Sequence, residues 1–250
     1  MGKLYNKSQL WFSLVFIGIY IVGASLGDAL SDVVKISKLF SFLFLFALSL
    51  VLFFWIKKNN LMEKYGLCKP KYNAKNFLFY LPLLVLVSVN FWFGATLNYN
   101  LWDCIFNVLA MLCVGFVEEI IFRGFLFRAL EKDNVKTAVI VSSVTFGVGH
   151  LVNLLSGGLD NLLPNVCQVF YATAVGFLFV IMFYKGGSLI ACILTHSLVN
   201  VFSVFQNTQA LTPTIEILTA VAIIITSVAY TLVLLKTLKT PQPTETPTEN

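Results

Sequence analysis

The sequence predicts an all-α fold, a polytopic membrane bundle of about eight transmembrane helices. Three observations carry that prediction. Hydrophobic residues make up 58% of the 250 positions and charged residues only 12%, against about 25% charged in a soluble domain. The mean hydropathy is +0.84. The apolar residues fall into runs of roughly 20, the length a helix needs to cross hydrocarbon. Lipid satisfies no backbone hydrogen bonds, so isolated spans of this kind are helices.

Spans are expected near 9–29, 36–56, 77–97, 102–130, 137–155, 164–184, 187–207 and 214–235. The first run, Leu10 to Leu26, follows Lys3 and Lys7 and so mimics a secretory signal, with Val22-Gly23-Ala24 resembling a weak cleavage site. It is longer than an ordinary signal core and is read as a retained membrane anchor. Lys57-Lys58-Asn59-Asn60 ends the second span, and Gly157-Gly158 follows the fifth. Gly186-Gly187 separates the sixth from the seventh, and Thr212-Pro213 opens the eighth. The fourth is the longest and holds Arg123 and Arg128 within it. A single membrane-embedded domain is expected over 1–239. Beyond it, the Pro/Thr-rich segment 240–250 has the composition of a disordered cytoplasmic tail.

The formal net charge of +5 would point to nucleic acid in a soluble protein. Here the basic residues cluster in the loops, which is the pattern of membrane orientation, and no nucleic-acid partner is expected. With the N-terminus in the cytosol, the inside set comprises Lys3, Lys7, Lys57 through Lys75, Arg123 through Lys136, Lys185, Lys236 and Lys239. Only Lys35 and Lys38 fall outside. The positive-inside rule therefore makes both termini of a multi-pass cell-membrane protein cytoplasmic, which requires an even number of spans. Cys68, Cys104, Cys113, Cys167 and Cys192 fit no metal spacing and read as small buried hydrophobes.

The candidate site lies in the fourth span, at Val117-Glu118-Glu119-Ile120-Ile121-Phe122-Arg123. A charge at the centre of a membrane helix costs about 2.5–3.5 kcal/mol on insertion scales, and such residues mark function by default. Depth supports a shared site. At 1.5 Å per residue, Glu118 lies roughly 15 Å from Arg128, His150 roughly 21 Å from Lys136 and His196 roughly 16 Å from Lys185. The chain's two histidines thus reach about the depth of the glutamates on different spans. Glu119 and Arg123 are i,i+4 and close enough to pair; Phe146 and His150 share that spacing, as do His196 and Asn200.

Adjacent glutamates differ by about 100° around a helix, so they take different roles. Glu119 faces Arg123 and is a structural anchor. Glu118 lacks that partner and is the candidate general base that activates a water, with His150 helping to hold it. His196 and Asn200 offer donors to an oxyanion. Together these are the parts needed to hydrolyse a peptide-like carbonyl. Asn90, Asn107, Asn153 and Gln168 read as helix-contact residues, and Glu216 as a helix N-terminal carboxylate. Gly115, Gly124, Gly147 and Gly149 allow close helix approach around the site.

Glu118-Glu119-x-x-x-Arg123, Phe146-x-x-x-His150 and His196-x-x-x-Asn200 resemble the three motifs of the CPBP intramembrane metalloproteases, the CAAX- and bacteriocin-processing or Abi family, similar to type II CAAX prenyl endopeptidases. The resemblance covers about 100–205. It implies a membrane helical bundle that cleaves a membrane-associated peptide or protein within the bilayer. Glu118, His150, His196 and Asn200 are then catalytic, and Glu119, Arg123 and Phe146 support them. Family descriptions name a metal, and His150, His196 and Glu118 are the candidate zinc ligands. The His-Glu-x-x-His spacing of zinc proteases is absent, and water activation by Glu118 and His150 without a permanent metal is the expected mechanism. The alternatives are a non-catalytic bacteriocin-immunity protein that sequesters its partner, and a proton-coupled transporter, which would leave the His-x-x-x-Asn spacing unexplained.

Overall fold

The computed structural model describes residues 1–153 and 162–239. The Gly157-Gly158 boundary, the end of the expected fifth span and the tail after residue 239 lie outside the described residues. The architecture is a helical bundle whose one strand-like pairing, among the described residues, is an antiparallel bridge between Ala95 and Gln206. A short α1 (Gly2–Lys7) leads into α2 (Gln9–Val34) and α3 (Leu39–Lys58). Next come α4 (Leu81–Ser88), flanked by 3-10 turns, and the long α5 (Leu101–Leu130). The chain continues through α6 (Val135–Gly149), α7 (Leu162–Gly186), α8 (Ile190–Ser203) and α9 (Pro213–Thr237).

Each expected span has a helical counterpart, but among the described residues only six helical stretches are long and apolar enough to cross a membrane. They are Gln9–Val34, Leu39–Lys58, Ala74–Phe91, Leu101–Leu130, Leu162–Gly186 and Pro213–Thr237. The all-helical membrane-type fold is as expected, and the described residues support six full spans without confirming the count of eight. The two short helices, α6 with 15 residues and α8 with 14, measure about 22 and 21 Å, against a hydrocarbon core of about 30 Å. His196 lies midway along α8, and His150 directly follows the last residue of α6. The third stretch is interrupted: Leu78, Phe79 and Tyr80 adopt positive φ of 49°, 52° and 59°, and its helical part ends at Phe91 rather than near residue 97.

Local sequence explains four of the helix starts. Ser8, Asn100, Asn134 and Thr212 each accept a hydrogen bond from the backbone N–H three residues on, satisfying a donor that the first turn leaves free. Thr212 is followed by Pro213 at the first helical position, with Glu216 in the first turn.

Alternate connections gather at opposite ends of the bundle. At one end, the 59–73 segment clamps the link between α7 and α8, through Lys71 N–H to the Gly186 carbonyl and Leu189 N–H to the Gly66 carbonyl, both 2.8 Å. Gly66 and Gly187 hold φ of 70° and 75° there, backbone that a side chain would strain. Lys185 donates from Nζ to the carbonyls of Leu235 (2.9 Å) and Leu238 (2.6 Å), closing the last turn of α9. At the other end, Ser37 N–H donates to Asp103 (2.7 Å), Asn107 to Ser37 Oγ (2.9 Å) and Thr96 N–H to the Phe205 carbonyl (2.9 Å).

The centre of the bundle is α5. It is α-helical over Leu101–Glu119 and π-helical over Ile120–Phe127, where all eight residues are buried. Phe125 packs against Phe12, Phe16 and Trp55 from α2 and α3, and against Tyr65. Upstream, Gly115 lets α5 and α8 touch: a β-carbon there would collide with the backbone of Ser197, whose hydroxyl donates to the Leu112 carbonyl at 3.1 Å. Gly115→Ala is therefore expected to destabilise the protein by about 1–3 kcal/mol through overpacking. A lowered melting temperature in detergent is the readout, and an unchanged one would show that these helices part freely. The expected helix-contact role of Asn90, Asn107 and Asn153 is met by bonds to the Val199 carbonyl, Ser37 and Gln168.

Candidate active site

The adjacent glutamates of α5 diverge as the 100° helical step requires. Glu119 turns inward and is fully buried together with Arg123, whose Nη1 lies 3.1 Å from its Oε1. The guanidinium carbon of Arg123 sits 3.9 Å above the centroid of the Phe146 ring and 5.8 Å from that of Phe179. Far from water, this cation is balanced by a carboxylate and by aromatic faces that present their negative quadrupole.

His196 of α8 lies between the two glutamates. Its Nδ1 is 2.9 Å from Glu119 Oε1, and its Nε2 is 3.4 Å from Glu118 Oε2. One oxygen of Glu119 thus serves both Arg123 and His196. Because an ionised carboxylate only accepts, Nδ1 carries a proton, which fixes the ring's orientation. Phe146 completes the packing, standing edge-on to His150 at 5.3 Å, to His196 at 5.7 Å and to Phe122 at 5.4 Å between centroids. His150 directly follows α6, with its N–H bonded to the Gly147 carbonyl at 3.1 Å. Behind it Gly147 packs on α7, where a β-carbon would meet Thr173 and the Val169 carbonyl.

A cavity of about 370 Å³ connects these groups. Glu118, Phe146, His150, His196 and Asn200 line it, and it extends to the Asp28–Lys38 ion pair (2.8 Å) at the α2–α3 turn. A second pocket of about 90 Å³ lies against Phe146, His150, His196 and Asn200, with apolar walls from Leu86, Val89, Tyr171 and Ile223. The four candidate catalytic residues are therefore brought together, and Glu119, Arg123 and Phe146 lie directly behind them.

One participant has no counterpart in the sequence reading. Tyr20, in the middle of α2, donates its hydroxyl to Glu118 Oε1 at 2.5 Å and lines the same cavity. Glu118 Oε2 is buried and has no hydrogen-bond partner. The base candidate is thus held through one oxygen by Tyr20, while the other is turned toward His196 Nε2 at 3.4 Å.

A zinc site with three protein ligands does not fit this arrangement. Among the described residues no three His, Cys, Asp or Glu side chains converge in a way that would hold a metal ion. His150, His196 and Glu118 share a cavity without forming the ligand set of a catalytic zinc.

The fold and site together define a polytopic membrane protein with a carboxylate–imidazole–guanidinium centre built inside its helices. Residues 100–202 match the family model described as Type II CAAX prenyl endopeptidase Rce1-like, the family type that the three motifs resemble. The matched stretch contains every motif residue from Glu118 to Asn200. The matched family is, by its description, one of prenyl endopeptidases. No curated protein and no solved structure matches the chain.

Proposed function

We propose that the protein hydrolyses a peptide bond of a membrane-associated peptide or protein, using water activated at Glu118 within the bundle. The observation that carries this is the convergence of Glu118, His150, His196 and Asn200, carried by three different helical segments, on one cavity. A water between Glu118 and His150 loses a proton to the carboxylate as its oxygen attacks the scissile carbonyl. The resulting oxyanion takes hydrogen bonds from Asn200 Nδ2 and from His196 Nε2, the latter requiring a proton on each ring nitrogen. Glu118 then returns its proton to the leaving amine as the C–N bond breaks. Arg123 and Glu119 hold His196 in place throughout. In the bilayer, residues 1–239 act as one domain, with both termini on the cytoplasmic side, as the lysine-rich end of the bundle suggests.

Comparative peptidomics of cells carrying wild-type or Glu118→Ala protein tests this reading. A cleavage product present with the wild type and absent with the variant is the expected result. Identical peptidomes, with the cellular phenotype surviving replacement of both Glu118 and His150, would favour the sequestering alternative.

A further inference from the structure

We infer that Tyr20 is a positioning residue for the base, and that the working site is consequently completed by a helix outside the family-matched segment. The inference rests on the hydrolytic reading for its catalytic meaning, but its geometry stands alone. Tyr20 lies on α2, and its hydroxyl reaches Glu118 Oε1 at 2.5 Å across 98 residues of sequence. Tyr20 lies outside the matched residues 100–202, and Glu118 lies within them.

A carboxylate on a membrane helix can rotate about its terminal bond, which is a broad and soft torsion. The hydroxyl removes that freedom by occupying one oxygen with a charge-assisted bond. The second oxygen then stays turned toward His196 Nε2, 3.4 Å away, which fixes the carboxylate plane relative to the imidazole. The Arg123–Glu119 pair cannot do this work, because it is committed to the other side of His196. Each glutamate thus has its own holder. Glu119 is held within α5, and Glu118 is held from α2.

The test uses full-length protein in lipid nanodiscs and a quenched-fluorescent peptide library, from which the peptide cleaved fastest by wild-type protein serves as the probe. Tyr20→Phe removes one oxygen and leaves the ring. The expected result is a fall in kcat of roughly 10- to 100-fold, the scale of a misplaced catalytic group, with KM changed less than about twofold and the melting temperature close to wild type. A residue that only packs α2 against α5 would lower the melting temperature and leave kcat alone. Wild-type kcat in Tyr20→Phe would overturn the inference.

A second measurement needs no turnover. The carboxylate stretch of Glu118, isolated as the infrared difference between wild type and Glu118→Gln, is expected to shift in Tyr20→Phe; an unmoved band overturns the inference. Should Tyr20→Phe fail to accumulate, the phenol C–O stretch of ring-labelled tyrosine reads the same bond from its other end, wild type against Glu118→Gln. A library that the wild type and Glu118→Ala cleave equally would sink the hydrolytic reading while leaving the infrared result to decide on the contact.

Discussion

Glu118→Gln is expected to lower peptide cleavage by roughly 10²–10⁴-fold, the contribution of a general base, while the protein folds and extracts from membranes like the wild type. The amide has nearly the same shape as the carboxylate, and its carbonyl can still accept the hydroxyl of Tyr20 across the contact that Glu118 Oε1 now makes. What disappears is the acceptor that takes the water's proton. Full activity of the Gln variant against the library peptide would remove Glu118 from the mechanism. His150→Ala is expected to fall in the same direction, since that ring lines the cavity beside Glu118 and has no role in the ion pair behind it.

Arg123→Ala is expected to act on folding before chemistry. Its guanidinium is fully buried and paired with a fully buried Glu119, and truncating one member of such a pair costs about 3–5 kcal/mol because the other charge is stranded. The Phe146 and Phe179 rings would also lose the cation they face. Low accumulation and a sharply reduced melting temperature in detergent are the readouts. Arg123→Lys should rescue little, because an ammonium lacks the planar surface that stacks on Phe146. The decisive control is Glu119→Gln combined with Arg123→Met, which removes both charges and should recover stability without recovering cleavage. If Arg123→Ala melts like the wild type, the pair does not hold the bundle.

The motif residues were legible because charge inside an apolar run is conspicuous. Glu118, Glu119 and Arg123 announce themselves, and the i,i+4 spacings placed Arg123, Phe146 and Asn200 relative to their partners. Capping was legible too, as at Thr212-Pro213. Tyr20 was not, for a physical reason. It is one of nine tyrosines, it sits comfortably in a membrane helix with no local partner, and only tertiary packing gives it a role. The lengths of α6 and α8 were hidden because hydropathy counts apolar residues whether or not they are helical. Residues 204–207 are apolar or amide-bearing, yet they turn rather than extend α8. The left-handed Leu78, Phe79 and Tyr80 defeat propensity in the same way. The exchange from 13-atom to wider hydrogen-bonded rings after Glu119 leaves no mark in composition at all.

That widening has a mechanical result. Each residue of an ordinary helix advances about 100°, so a helix wound uniformly from Leu101 would deliver Arg128 to a different azimuth from the one it occupies. As built, Arg128 meets the Lys64 carbonyl at 3.1 Å and lies 4.1 Å from the Phe183 ring, while Glu119, upstream, keeps phase with His196. The π segment works like a slipped gear tooth between two halves of one shaft. The half bearing the carboxylates is timed to α8, and the half beyond Phe127 is timed to the 59–73 loop.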